Sequence, residues 1–185
     1  DADLKDAARK IAFFKICNAG QICININQVA VAEEVADQFI KELKKAFEKQ
    51  IPHALTNQEY PRLISLSAYE KCEREAEAYR SRIVYGGQGD KDTLKYEPTI
   101  LYPIKEEEEI VSHELFSPLL PVVPFKDSEI DSLLEKISRR EHGLAFYLFT
   151  KDMKWADKVM STQQYGGGCV NEVCLHLMVK GVPFN

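Results

Sequence analysis

The sequence predicts an α/β fold, an open, mainly parallel twisted sheet with helices on both faces and reactive loops at the carboxyl ends of its strands. Three observations carry that expectation. Short apolar runs alternate with longer amphipathic stretches along the whole chain, the order that βαβ units produce. Residues 119–125 are apolar on both sides, as a strand covered on both faces requires. The helical stretches gather their apolar residues into single stripes, which suits packing on a sheet.

Taken in order, residues 3–17 repeat Leu4, Ala7, Ala8, Ile11, Ala12, Phe14 and Ile16 at mostly helical spacing, and the acidic Asp1 and Asp3 favour the helix start. That helix aims at Asn18-Ala19-Gly20. Residues 26–32 read as a short strand and 33–50 as an amphipathic helix with Val35, Phe39, Leu43 and Phe47 on one face. A polar stretch with Pro52 and Pro61 leads to a helix around 68–80, then 82–87 read as a strand closed by glycines. Residues 98–102 form another strand, and the like charges of the acidic loop 106–109 keep it in solvent. In the strand 119–125, Pro121 and Pro124 point to an edge position or irregular ends, because proline donates nothing to a ladder. Asp127 or Ser128 caps a helix running to about Arg140 and ended by Gly143; residues 144–149 are the clearest strand, and 152–160 the next helix. With no repeat and no internal linker, residues 1–185 are expected to form one domain.

Composition bounds the function. The 24 basic and 29 acidic side chains give a net charge of −5, and 45% of residues are hydrophobic, the balance of a packed domain able to bury roughly 70% of its unfolded surface. The mild acidity and lack of a basic stripe argue against nucleic acid. No apolar run approaches the ~18 residues of a membrane helix, and the opening Asp1-Ala2-Asp3 is acidic instead of signal-like, so the expected location is intracellular and cytoplasmic. Cys17, Cys23, Cys72, Cys169 and Cys174 make an odd count without a Cys-x-x-Cys pair, as reduced thiols would. The four histidines are scattered singly, so no metal is expected.

Two segments hold candidate chemistry. Cys23 closes Asn18-Ala19-Gly20-Gln21-Ile22-Cys23, where a glycine and two amides let the backbone turn tightly and present N–H groups. A thiol there suits a nucleophile with oxyanion donors nearby; the ordinary alternative is a small buried hydrophobe. In Ser112-His113-Glu114-Leu115-Phe116-Ser117-Pro118, Glu114 suits a ligand carrying a diol and Phe116 a planar heterocycle, the ordinary alternative being a capping acid and a core phenylalanine. Gly166-Gly167-Gly168 lacks the Lys-Ser/Thr of a phosphate loop and reads as a turn before a strand. No histidine has the local context of a catalytic base.

Together these segments resemble the catalytic domain of the aldehyde dehydrogenase superfamily, most closely its class 3 and fatty-aldehyde branch, over nearly all 185 residues. The marks agree in order: Asp1-Ala2-Asp3-Leu4, Asn18 to Cys23, Tyr85-Gly86-Gly87, Pro98-Thr99-Ile100-Leu101, His113 to Pro118, Leu144-Ala145-Phe146-Tyr147, Gly166-Gly167-Gly168, Asn171-Glu172-Val173 and Pro183-Phe184. The resemblance implies that Cys23 is the nucleophile, that Glu114 binds the nicotinamide ribose and that Phe116 lies beside the nicotinamide ring. The implied reaction runs through a thiohemiacetal and a thioester on Cys23, with hydride passing to NAD or NADP and a carboxylic acid as product. It implies a homo-oligomer in the full-length protein, and medium- or long-chain aliphatic or aromatic aldehydes as substrates.

The resemblance has departures. Where the family has an acid before the glutamate and a glycine after the phenylalanine, this chain has His113 and Ser117. An exposed His113 on the acidic loop is the simple reading. The family's nucleotide-binding domain, with its oxyanion asparagine and water-activating glutamate, is not among these residues, nor is the family's glycine-rich continuation after Asn185. The expectation is an excised catalytic domain, inactive or nearly so alone. Two other readings compete: a member that passes the acyl group to coenzyme A, and a non-catalytic interaction module that retains the fold.

Overall fold

The computed structural model describes residues 1–139 and 143–181. The expected helix limit at Arg140 lies outside them.

Helix α1 (Leu4–Ile16) begins at Asp3, whose carboxylate accepts from the N–H groups of Lys5 and Asp6 at 3.1 and 3.0 Å, satisfying donors that a helix start leaves free. Its buried apolar residues are Ala7, Ala8, Ile11, Ala12 and Phe14. The small residues let it lie close against α2 (Glu33–Gln50), which buries Ala36, Phe39, Ile40, Leu43 and Phe47. The last of these stacks on Tyr85 with ring centroids 5.7 Å apart. Strand β1 (Val29–Ala32) leads directly into α2, starting three residues later than the pattern predicts.

Helix α3 (Leu66–Ala78), capped by the Ser65 hydroxyl, buries Tyr69, Cys72 and Ala76. Strand β2 (Ile83–Tyr85) follows, then a hairpin of β3 (Gly89–Asp90) and β4 (Lys95–Tyr96) that the sequence pattern does not announce. Strands β5 (Thr99–Leu101) and β6 (Leu119–Phe125) complete a sheet ordered β1-β6-β5-β2, in which β6 runs parallel to both neighbours and β2 is antiparallel to β5.

The sheet divides the core in two. Ile100, Leu120 and Val122 face the cluster of α1 and α2; Leu101, Leu119 and Val123 face the cluster of α3, Tyr60, Leu63 and Tyr96. Successive residues of a strand point to opposite sides, so the two-sided apolarity of residues 119–125 is explained by helices on both faces. Of the two expectations for its prolines, an edge position or irregular ends, the edge position does not hold. β6 lies between β1 and β5, and its prolines stand near the ends of the two pairings: Pro121 opposite Leu101, the last residue of β5, and Pro124 opposite Val31, next to the last of β1. A proline's missing donor matters least where a ladder is about to stop.

Helix α4 (Ile130–Arg139) follows a short 3₁₀ turn at Asp127–Glu129. The acidic loop is only partly solvated, since Lys136 of α4 bonds the half-buried Glu106 at 2.8 Å. Strand β7 (Gly143–Leu148), α5 (Met153–Thr162, capped by Asp152) and β8 (Tyr165–Val170) form a parallel βαβ unit. Gly166-Gly167-Gly168 lies inside β8 and is not a turn. A Cβ on Gly167 would stand 2.4 Å from the His176 ring, and one on Gly168 2.5 Å from the Phe146 carbonyl, so close backbone approach explains the glycines.

Candidate active site

Past Cys17, the backbone of Asn18, Ala19 and Gly20 turns left-handed, with φ of 50°, 51° and 78°. The two amides close this turn on each other. The Asn18 side chain donates to the Gln21 carbonyl at 2.9 Å and that of Gln21 donates to the Asn18 carbonyl at 2.8 Å. Gln21 is itself buried and accepts from the Ile64 N–H at 2.8 Å.

Cys23 sits next, in a turn closed by the Asn25 N–H donating to the Ile22 carbonyl at 2.8 Å, and its side chain is exposed. The segment behind it is tied down from several directions. The Tyr147 hydroxyl of β7 donates to the Ile24 carbonyl at 3.0 Å, the Asn25 amide donates to the Phe14 carbonyl at 2.6 Å, and the buried Lys15 amine donates to the Ile26 carbonyl at 3.0 Å. A thiol is thus presented outward on a backbone with little freedom.

The second predicted segment lies alongside. Buried Leu115 anchors it, with exposed Glu114 and Phe116 on either side. Phe116 is 43% exposed and left-handed at φ 50°, a conformation that a bulky residue adopts only when its surroundings impose it. It is therefore not a core phenylalanine, and among the described residues Glu114 caps no helix. Among the described residues the Glu114 carboxylate has no hydrogen-bond or ion-pair partner.

The two segments meet at two points. A Cβ on Gly20 would fall 2.0 Å from the Ser117 carbonyl oxygen, so the chains touch through backbone there. The Asn27 carboxamide donates to the His113 carbonyl at 2.9 Å and accepts from the Leu115 N–H at 2.8 Å. On the far side, Lys71 of α3 donates to the Leu115 carbonyl at 3.0 Å and bonds Glu75, while His113 lies 3.0 Å from Glu75. His113 is exposed, yet it is tied to α3 as well as to its own loop.

The other thiols differ from Cys23. Burial pushes the Cys72 thiol up to about 12, and raises those of Cys17 and Cys174 as well. Cys169 lies 3.5 Å from Nδ1 of His176, whose pKa burial lowers. The sequence holds no local sign of that pairing, nor of the roles of Lys15, Asn27 and Tyr147, each of which acts across a separation in the chain. Among the described residues no three His, Cys, Asp or Glu side chains converge to hold a metal, and no helix is long and apolar enough to cross a membrane.

Comparison with known proteins identifies the family of the chain and of its fold. The sequence profile described as the aldehyde dehydrogenase family matches residues 1–185. An aldehyde dehydrogenase of Craterostigma plantagineum is 34% identical across 98% of this chain and 38% of its own length. The aldehyde dehydrogenase family 3 member H1 of Arabidopsis thaliana is 30% identical across 100% and 38%. Among solved structures, the substrate-bound state of Staphylococcus aureus AldH superposes with a TM-score of 0.91 at 30% identity, over 100% of this chain and 40% of that one. The chain therefore spans about two-fifths of the proteins it matches.

Proposed function

The chain belongs to the aldehyde dehydrogenase family, and from that premise we propose that residues 1–185 are the thiol-bearing catalytic domain of an NAD- or NADP-dependent enzyme that oxidises an aldehyde to a carboxylic acid. The observation that carries the reading is the exposed Cys23 thiol on a braced turn, joined through Asn27 to the segment of the unpartnered Glu114.

In this reading the Cys23 sulfur attacks the aldehyde carbon, a C–S bond forms, and the carbonyl oxygen takes the negative charge. Among the described residues the Cys23 N–H donates to no backbone acceptor, which leaves it available to that oxygen. Loss of the carbon-bound hydrogen with its electron pair leaves a thioester on Cys23. Water then adds to the acyl carbon, the C–S bond breaks, and the thiol is restored as the acid departs. When bound, the nicotinamide supplies the hydride acceptor. The residues present suit that group: an exposed carboxylate without a partner for a ribose diol, and an exposed ring two residues on for a flat heterocycle.

Both groups face outward, so the remaining walls of the site are assigned to a nucleotide-binding domain outside these residues, and the isolated domain turns over slowly because positioning is worth several kcal/mol. The reading includes a cytoplasmic homo-oligomer, to which the exposed Leu175, Leu177, Met178 and Val179 offer apolar surface.

The test compares the natural polypeptide carrying these residues with its Cys23→Ala variant, following NAD(P)H formation with aldehyde and trapping the acyl group by peptide mass spectrometry. Aldehyde-dependent reduction and an acyl adduct on Cys23, both lost in the variant, are expected. Undiminished reduction by the variant sinks the assignment, and an acyl-CoA product formed only with coenzyme A replaces the hydrolytic reading.

A further inference from the structure

The proposed site contains an asparagine whose geometry is more specific than a loop contact requires. The two groups that Asn27 bonds belong to the two peptide units on either side of Glu114: the His113 carbonyl to the unit before its Cα, the Leu115 N–H to the unit after. Fixing both peptide planes fixes the two dihedrals of Glu114, and with them the direction of its Cα–Cβ bond. Lys71 holds the next unit through the Leu115 carbonyl, so three successive peptides are anchored where the chain presents an acid and a ring. Lys71 reaches in from α3, whereas Asn27 reaches in from the segment of the thiol. Asn27 lies four positions after Cys23, a reach of at most about 14 Å.

Resting on the function proposed above, we infer that Asn27 is a positioning residue that sets the Glu114–Phe116 segment in register with the Cys23 turn. The task needs a flat group with a donor and an acceptor side by side, which a carboxamide has. An aspartate of the same shape keeps the bond from the Leu115 N–H, loses the bond to the His113 carbonyl, and sets a negative oxygen against that carbonyl oxygen. Alanine loses both. The thiol keeps its own braces in either variant, because Tyr147, Phe14 and Lys15 hold residues 24–26 independently of Asn27.

The test uses the natural polypeptide carrying these residues and its Asn27→Asp and Asn27→Ala variants. NAD⁺ and NADP⁺ binding is measured by calorimetry, Cys23 alkylation by iodoacetamide without nucleotide, and exchange at the Leu115 amide by deuterium labelling. In both variants nucleotide binding weakens about tenfold, as the loss of one or two anchoring hydrogen bonds implies. The bare thiol reacts within about twofold of the wild-type rate. Leu115 exchange quickens in Asn27→Ala and less in Asn27→Asp. Asn27→Asp is isosteric and serves if Asn27→Ala fails to fold. Unchanged nucleotide affinity in a folded variant overturns the inference and leaves the proposed function standing. Thiol reactivity falling in step with affinity also overturns it, by showing a general structural role. A wild-type protein that binds neither nucleotide at millimolar concentration removes the functional reading itself.

Discussion

The amine of Lys15, at the last turn of α1 and 1% exposed, donates to the Ile26 carbonyl at 3.0 Å across the core behind Cys23. Desolvation draws its pKa from the ordinary 10.5 down to about 7. The unfolded chain keeps the proton up to the higher value and the folded one releases it near the lower. Between about pH 7 and 10.5 the unfolded state thus binds more protons, and stability rises with pH; below about 7 the full cost of a buried ammonium is present.

Lys15→Met removes that dependence. Urea unfolding at pH 6, 7, 8 and 9 should show the variant more stable at the acid end, with its advantage shrinking by about 2 kcal/mol between pH 7 and 9. A difference that stays flat across the series rules out a neutralised amine.

The thiols should separate cleanly on alkylation. Cys23 is exposed, while Cys72 is buried with its pKa pushed up to about 12, so at pH 8 only about one Cys72 in 10⁴ is thiolate. With limiting iodoacetamide on native protein, peptide mass spectrometry should find Cys23 modified first and Cys72 unmodified until denaturant is added. Equal labelling of the two in folded protein contradicts the burial described here.

Gly20 and Gly143 make a matched pair. At Gly20 a methyl group would meet the Ser117 carbonyl oxygen at 2.0 Å with φ at +78°, whereas at Gly143 the nearest atom among the described residues is the Ala145 carbonyl oxygen at 3.5 Å. Gly20→Ala should cost about 3 kcal/mol or more, lowering Tm by roughly 6–12 °C, and Gly143→Ala should stay within about 0.5 kcal/mol. Similar melting of the two variants would mean that residues 18–20 and 117 do not pack as described.

Tyr147→Phe deletes the hydroxyl that donates to the Ile24 carbonyl and keeps the ring against Phe14, 6.2 Å away between centroids. The expected loss is about 1 kcal/mol by denaturant unfolding. A loss above roughly 3 kcal/mol would show that the ring packing had also been disturbed.

The parts of the fold legible in the sequence are those that local chemistry decides. Asp3 caps α1 as its acidic start suggests, and the stripe of Phe39, Leu43 and Phe47 is the buried face of α2. Gln21 and Asn18 sit in a turn that announces itself by composition. Tertiary context decided the rest. Pro121 and Pro124 belong to an interior strand because they fall where its pairings end, and Gly167 and Gly168 belong to a strand because His176 and Phe146 leave no room for a side chain. The hairpin of β3 and β4 is two residues a side, too short for any period to show. Of the candidate site, Cys23, Glu114 and Phe116 stood out by residue type and setting. Asn27 did not, since its partners are backbone groups at positions 113 and 115 that any residues would supply.

The parallel pairing of β1 with β6 also has a cost in time. Val29 finds its partner in Val122, so during synthesis at about 5–20 residues per second β1 waits roughly 5–20 s for the strand that will cover its edge. Throughout that interval the nascent chain carries α1, α2 and an open strand edge without the sheet that closes over them. Such an intermediate is a natural client for a chaperone that shields apolar surface near the ribosome exit, and yield on expression should respond to the supply of such chaperones before any change in the stability of the finished fold.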